Sequence, residues 1–288
     1  MAHRLPIELV VQVLKCAAKE EIHVDRAAVV QLALVSSFAY RLVHPVLYHT
    51  MVLTEYNSGQ LYRMARDSSC AHVFRAVRRL LMVGYELQSW LSDDAHRSLL
   101  SSVTSIDAPF AAIQSLAKSG SFHPSHIAVR YHWFAGVASA LPAETRSSIT
   151  HITGYFPGDN TLDADDARLI IAGLPSLSHI AFEVVEFEDP FNDETDLSAL
   201  DAVLRACLEC TRVRAVVLRV AGDRLSFWPA VLAAAQNTRD PRVQVWREGR
   251  EMASWVDEET FAVADTWAGR DIWTEARPAA TWQESEAI

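Results

Sequence analysis

The sequence predicts an α/β chain: a small N-terminal helical module, then an irregular, curved parallel-sheet solenoid, then a C-terminal capping helix. Three observations carry this prediction. Apolar residues recur at helical spacing over residues 1–45, and short β-like runs alternate with helical stretches over 46–250. Five of the eight tryptophans fall from Trp246 onward, with four of them in residues 251–288.

Leu5-Pro6-Ile7-Glu8-Leu9 opens the first helix. Proline is tolerated in a first turn, where its missing N–H has no intrahelical partner, and Glu8 suits the positive helix N-terminus. Leu9, Val10, Val13, Leu14 and Ala17 then follow at helical spacing, up to the polar run Lys19-Glu20-Glu21. Asp25 is an N-cap for a second helix. Val29, Val30, Leu32, Leu34 and Val35 wrap more than one face of that helix. Phe38, Leu42 and Val43 continue into a third helix or turn, with a stop expected before Pro45.

Two or three short helices cannot enclose so many aliphatics. Each one left in water forfeits roughly 1.5–3 kcal/mol. They pack either on the rest of the chain or on another protein, and the periodicity does not decide between these. The stretch Leu5-Pro6-x-Glu8-Leu9, then Leu32-x-Leu34-Val35-Ser36 and Tyr40, resembles the F-box pattern. Pro45-Val46-Leu47-Tyr48-His49-Thr50 resembles the segment after the F-box in large fungal families of F-box-like proteins. The resemblance covers residues 5–50. It implies a helical module that docks on a Skp-type adaptor held by a cullin, with Leu5, Pro6, Leu9, Val13, Leu32, Leu34 and Val35 on the docking face.

In the body, β-like runs occupy Val46–Leu53, Val77–Val83, Val103–Ile106, His126–Tyr131, Ile149–Gly154, Leu177–Phe187, Val213–Val220 and Val243–Trp246. Asp93–Ser102, Ala111–Lys118, Asp163–Ala172, Leu197–Cys207 and Pro229–Gln236 read as helices between them. Such alternation implies parallel strands joined by crossovers, and the spacing suits stacked repeats. Leu174-Pro175-Ser176-Leu177-Ser178-His179-Ile180 and Cys210-Thr211-Arg212-Val213-Arg214-Ala215-Val216 each place a turn, a buried apolar residue and then a strand. This texture resembles irregular leucine-rich repeats, although no consensus asparagine recurs. The competing architecture is a doubly wound sheet, but no G-x-G-x-x-G turn is present. Trp255, Phe261 and Trp267 are expected to anchor a helix over the open end of the solenoid, since a terminal repeat must cover its apolar face. The alternative is an aromatic partner-binding patch.

Charge is uneven. Residues 1–80 hold ten Lys/Arg and six Asp/Glu, while the remainder holds sixteen and thirty. So acidic a body argues against nucleic-acid or anionic-membrane partners. Pro6 and Glu8 stand where a signal peptide needs an apolar stretch. Cys16, Cys70, Cys207 and Cys210 are irregularly spaced and do not suggest a disulfide framework, so an intracellular location, cytoplasm or nucleus, is expected.

No constellation of catalytic residues stands out, and no cofactor or metal is expected. Cys207-Leu208-Glu209-Cys210 lacks the second pair of a zinc site and reads as core. His126 and His132 bracket a strand and would lie nearly 20 Å apart, too far to share a metal. Arg75, Arg78 and Arg79 read as a solvated edge. Asp163, Asp165 and Asp166 lack the glycine and closing glutamate of a calcium loop and suit a helix start. From Leu169 to Leu204 no Lys or Arg occurs. There Glu186, Glu188, Asp189, Phe191, Asp193 and Glu194 form an acidic, aromatic-containing segment, which either keeps the protein soluble or recognises a basic target protein. The expected function is a non-enzymatic substrate receptor of a cullin–RING ubiquitin ligase. The alternatives are a repeat scaffold without a ligase role and an enzyme on a doubly wound sheet.

Overall fold

The computed structural model describes residues 6–84, 91, 94–130, 135–156, 162–186, 199–222, 227–248, 262–266 and 268–282. Helices α1 (Ile7–Glu21), α2 (Arg26–Leu34) and α3 (Ser37–Leu47) come first. The Pro6 carbonyl accepts from the N–H groups of Leu9 and Val10 to start α1. The Asp25 carboxylate accepts from Ala28 N–H at 3.1 Å, as expected of a cap, and the Ser36 hydroxyl accepts from Ala39 N–H at 3.0 Å to open α3. Contrary to expectation, α3 does not stop before Pro45 but runs to Leu47. A proline in the last turn removes only one hydrogen bond. Buried Val43 and Leu47 hold that turn in a small core with Ala18, Val29 and Ala33. The first strand is therefore four residues shorter at its start than predicted.

Eight parallel strands follow: β1 (Thr50–Leu53), β2 (Arg79–Met82), β3 (Ser105–Pro109), β4 (His126–Arg130), β5 (His151–Tyr155), β6 (His179–Glu186), β7 (Ala215–Gly222) and β8 (Val243–Arg247). Between them lie α4 (Glu55–Arg66), α5 (Ala71–Ala76), α6 (Asp94–Leu99), α7 (Phe110–Ala117), α8 (Ala135–Ala140), α9 (Ala143–Ser148), α10 (Ala164–Gly173), α11 (Leu200–Glu209) and α12 (Trp228–Asn237). The strands pair strictly in chain order, and a short β9 (Arg277–Pro278) adds antiparallel to β8. A doubly wound sheet reverses its strand order at a switch point, and this sheet has none. The chain is a parallel α/β solenoid.

Its register is set by one aliphatic ladder. Met51, Leu80, Ile106, Ile127, Ile152, Ile180, Val216 and Val243 face one another in turn and are buried under the helices. The junctions from β1 to β7 repeat one clasp. The carbonyls of His49, Arg78, Thr104, Ser125, Thr150 and Ser178 each accept from two successive N–H groups of the next unit. Val77, Val103, Ile149, Leu177 and Val213 sit just before the strands and are wholly or almost wholly buried. Their burial explains why the sequence places those strand starts two residues early. Arginine forks tie the units together. Arg212 donates to the carbonyls of Ile171 and Leu177, and Arg242 to those of Leu208, Cys210 and Val213. Arg78 donates to the carbonyls of Arg75 and Val77 in its own unit and, at 3.4 Å, to that of Ser102 in the next. Gly173 lets α10 approach α8, since any side chain there would overlap the Ala138 methyl.

The expected capping anchors Trp255, Phe261 and Trp267 lie outside the described residues. Among those described, the open end is closed by β9, by Ala279 in the main core, and by Trp282. The Trp282 ring meets Trp228 edge-on at 4.9 Å, and Gln236 Nε2 donates to the carbonyls of Ala279 and Trp282.

Candidate functional site

Two surfaces carry unusual chemistry, one on the N-terminal helices and one on the sheet. On the helices, Leu9, Val13, Leu34 and Val35 are 47%, 63%, 70% and 76% exposed. Pro6 is exposed as well, Leu32 is half-buried against the small helical core, and Leu5 lies outside the described residues. Ile7, Val30 and Tyr40 extend the exposed set. The apolar positions of α2 wrap the helix while only Val29 and Ala33 are fully covered, and Leu34 and Val35 are left in solvent. The module meets the first repeat through His44, stacked on His72 with centroids 4.9 Å apart. Burial and the neighbouring His72 hold the His44 imidazole below its usual range.

The second surface is the sheet face turned away from the helices. Alternation along each strand sends every second side chain there. Arg79, Ser105, His126, His151 and His179 occupy matched positions at the strand starts. The three imidazoles form a ladder, with centroids 3.8 and 4.0 Å apart and rings nearly parallel. Each Nδ1 is hydrogen-bonded at 2.8 Å with the hydroxyl of the preceding residue: Ser125, Thr150 or Ser178. Burial and the flanking imidazoles push His151 down to about 3. Burial also lowers His126, where Asp271 opposes the shift, and His179, where Arg214 adds to it. The ladder is therefore uncharged at neutral pH.

Further along the strands lie buried ion pairs. Arg130 donates to both oxygens of Asp107, at 2.6 and 2.7 Å. Arg219 donates to Glu183 at 2.9 Å, lies 3.5 Å from Glu248, and stacks over Trp246 at 4.8 Å. Between the ion pairs and the ladder, Ala181 and Val217 make a small apolar patch.

The C-terminal segment lies on this face. Ile272 packs on Ala181 and Val217, and Trp273 stands edge-on to His151 and His179 at 5.1 and 5.6 Å. Asp271 accepts from Trp273 N–H to open the four-residue helix Ile272–Glu275. A cavity of about 100 Å³ remains between face and segment, bordered by Arg79, Asp107, Arg130, Asp265 and Arg270. Gly269 has φ +69°, and a side chain there would press on the His23 ring, so this glycine allows the segment to reach the N-terminal helices.

Sequence reasoning missed this face. The signal was present in the dipeptides Ser125-His126, Thr150-His151 and Ser178-His179, which coincide once the junctions are aligned. Of the acidic segment, Glu186 ends β6, while Glu188, Asp189, Phe191, Asp193 and Glu194 lie outside the described residues. Asp163 caps α10, accepting from the N–H groups of Asp165 and Asp166. All four cysteines are free thiols, and burial pushes Cys207 up to about 12, a protonated core residue. Among the described residues, no group of three His, Cys, Asp or Glu side chains is placed to hold a metal, and no helix is long and apolar enough to cross a membrane.

These features define a parallel α/β solenoid that carries an exposed aliphatic helical face at one end and a sheet face covered by its own C-terminal segment. Neither a family model nor a curated protein sequence matches the chain. Among solved structures it is similar to the leucine-rich repeat-containing protein LegL7 from Legionella pneumophila, with 11% identity, a TM-score of 0.32, and coverage of 77% of this chain and 91% of that one.

Proposed function

We propose that this chain is a non-enzymatic substrate receptor of a cullin–RING (SCF-type) ubiquitin ligase. Its N-terminal helices dock a Skp-type adaptor, and its solenoid holds a target protein. The observation that supports this most is the exposure of Leu9, Val13, Leu34 and Val35. An aliphatic surface of this kind gains roughly 1.5–3 kcal/mol per side chain when a partner covers it. The motif resemblance at Leu5–Leu9 and Leu32–Ser36 is the reason to propose a Skp-type adaptor as that partner. The ligase task needs no chemistry from this chain. Holding the target near a charged conjugating enzyme raises its effective concentration. The acidic segment Glu186–Glu194 is proposed as one contact for a basic target.

The test is co-purification with a Skp-type adaptor. The wild-type chain is expected to retain the adaptor and a Leu34→Asp variant to lose it. Absence of association, or association indifferent to that substitution, leaves the second reading: a leucine-rich-repeat-like scaffold without a ligase role. The solenoid architecture by itself is compatible with that reading.

A further inference from the structure

The contacts of the C-terminal segment are unlike those of the rest of the chain. Among the described residues, Ile272 clusters apart from the main core; its buried hydrophobic neighbours there are Ala181 and Val217, with Trp246, Trp273 and Ala276 at the margin. The helix Ile272–Glu275 has a single turn, and so short a helix does not persist in water. The seat therefore imposes the conformation. Two-residue pairing of β9 with β8 tethers the segment downstream, and the Arg270–Asp265 pair at 2.7 Å closes the turn before it. Few apolar contacts and one helical turn mark an element that opens before the core does.

The seat is built of three chemically distinct parts. Ala181 and Val217 form an apolar patch that receives one aliphatic side chain, Ile272. The His151 and His179 rings form a flat, uncharged wall that meets an indole edge-on. Arg79, Arg130 and His126 border the end where Asp271 lies. In repeat solenoids such a sheet face is the extended surface available to partners.

We propose that this seat is a recognition site for a partner segment of the form acidic–aliphatic–tryptophan, in one helical turn, and that Asp271-Ile272-Trp273 is a built-in competitor for it. This names a target chemistry for the receptor reading and rests on that reading only for the partner's fate. A tethered segment competes at an effective concentration on the order of millimolar, so a partner must bind more tightly than an isolated copy of the segment to open the site.

The experiment uses the full chain and a fluorescent peptide of residues 268–276, followed by anisotropy. Wild type is expected to bind the peptide poorly, because its own segment fills the seat. Ile272→Asp is expected to bind it at least about tenfold more tightly, and Val217→Arg added to Ile272→Asp is expected to abolish that gain. A folded Ile272→Asp chain, checked by circular dichroism, that binds no better than wild type overturns the proposal. If Ile272→Asp does not fold, hydrogen exchange on wild type decides. Amides of 271–276 exchanging about a hundredfold faster than those of β6 and β7 support a detachable segment, and equal protection overturns it. Adaptor capture is measured on the same preparations. It depends on Leu34 and not on Ile272, so failure of the seat and failure of the adaptor reading give different results.

Discussion

The N-terminal helices and the solenoid body solve the same problem differently. Both are rich in aliphatics, yet the exposed large hydrophobics among the described residues are Ile7, Leu9, Val13, Val24, Val30, Leu34, Val35 and Tyr40 in the helices, against Tyr56 and Leu169 in the body. Each body unit has a neighbour on either side, so its ladder residue is covered twice. The helices have one neighbour, and their core is Ala18, Val29, Ala33, Val43 and Leu47. The difference shows that burial here follows from having a next repeat, and that the helical end keeps an uncovered aliphatic face.

Four experiments break or sharpen this comparison. The largest effect belongs to the body core. Phe122→Ala, at a fully buried site, is expected to cost about 3–5 kcal/mol in denaturant unfolding, through lost transfer energy and a cavity. A cost under about 1 kcal/mol would deny that the units share one core. Next comes the sheet face. Asp107→Ala removes the carboxylate that takes two hydrogen bonds from the Arg130 guanidinium, whose side chain is 7% exposed, and is expected to cost about 3 kcal/mol. Asp107→Asn should recover part of that loss.

The third test is acid. His44, His49, His126, His151 and His179 all sit below their usual range, chiefly through burial. The fold therefore binds fewer protons than the unfolded chain below about pH 6.5, the ordinary imidazole value. Stability should be complete above that pH and decline steadily toward about 3, where His151 titrates. Melting temperatures from pH 7.5 to 4.5 read this directly, and His151→Gln should flatten the slope. The smallest effect belongs to the helices. Leu34→Asp should change stability by no more than about 0.5 kcal/mol, because the side chain is already in solvent. A larger loss would mean that Leu34 supports the fold and not a partner.

Much of the body was legible because its signal is local and repeated. Val77, Val103, Ile149, Leu177 and Val213 each announce a strand from within a few residues. The Asp25 and Asp163 caps were legible for the same reason. The α3 helix was misread at Pro45 because Val43 and Leu47 are held by α1 and α2, contacts that sequence proximity does not reveal. The sheet face was not legible because Ala181 and Val217 acquire meaning only when Ile272 arrives from some fifty or more residues away. Along the sequence His126 and His132 bracket one predicted strand, whereas the spacing that matters runs across strands, from His126 to His151 to His179.

The two-residue strand β9 has a consequence for storage and expression. An uncapped β8 would offer a row of free backbone groups on which a second molecule could nucleate a fibre. Pro278 contributes no N–H for a newcomer to use, and Arg277 brings charge to the same rim. Preparations lacking the last dozen residues should therefore grow turbid with a lag that shortens on seeding, while the intact chain stays clear at equal concentration.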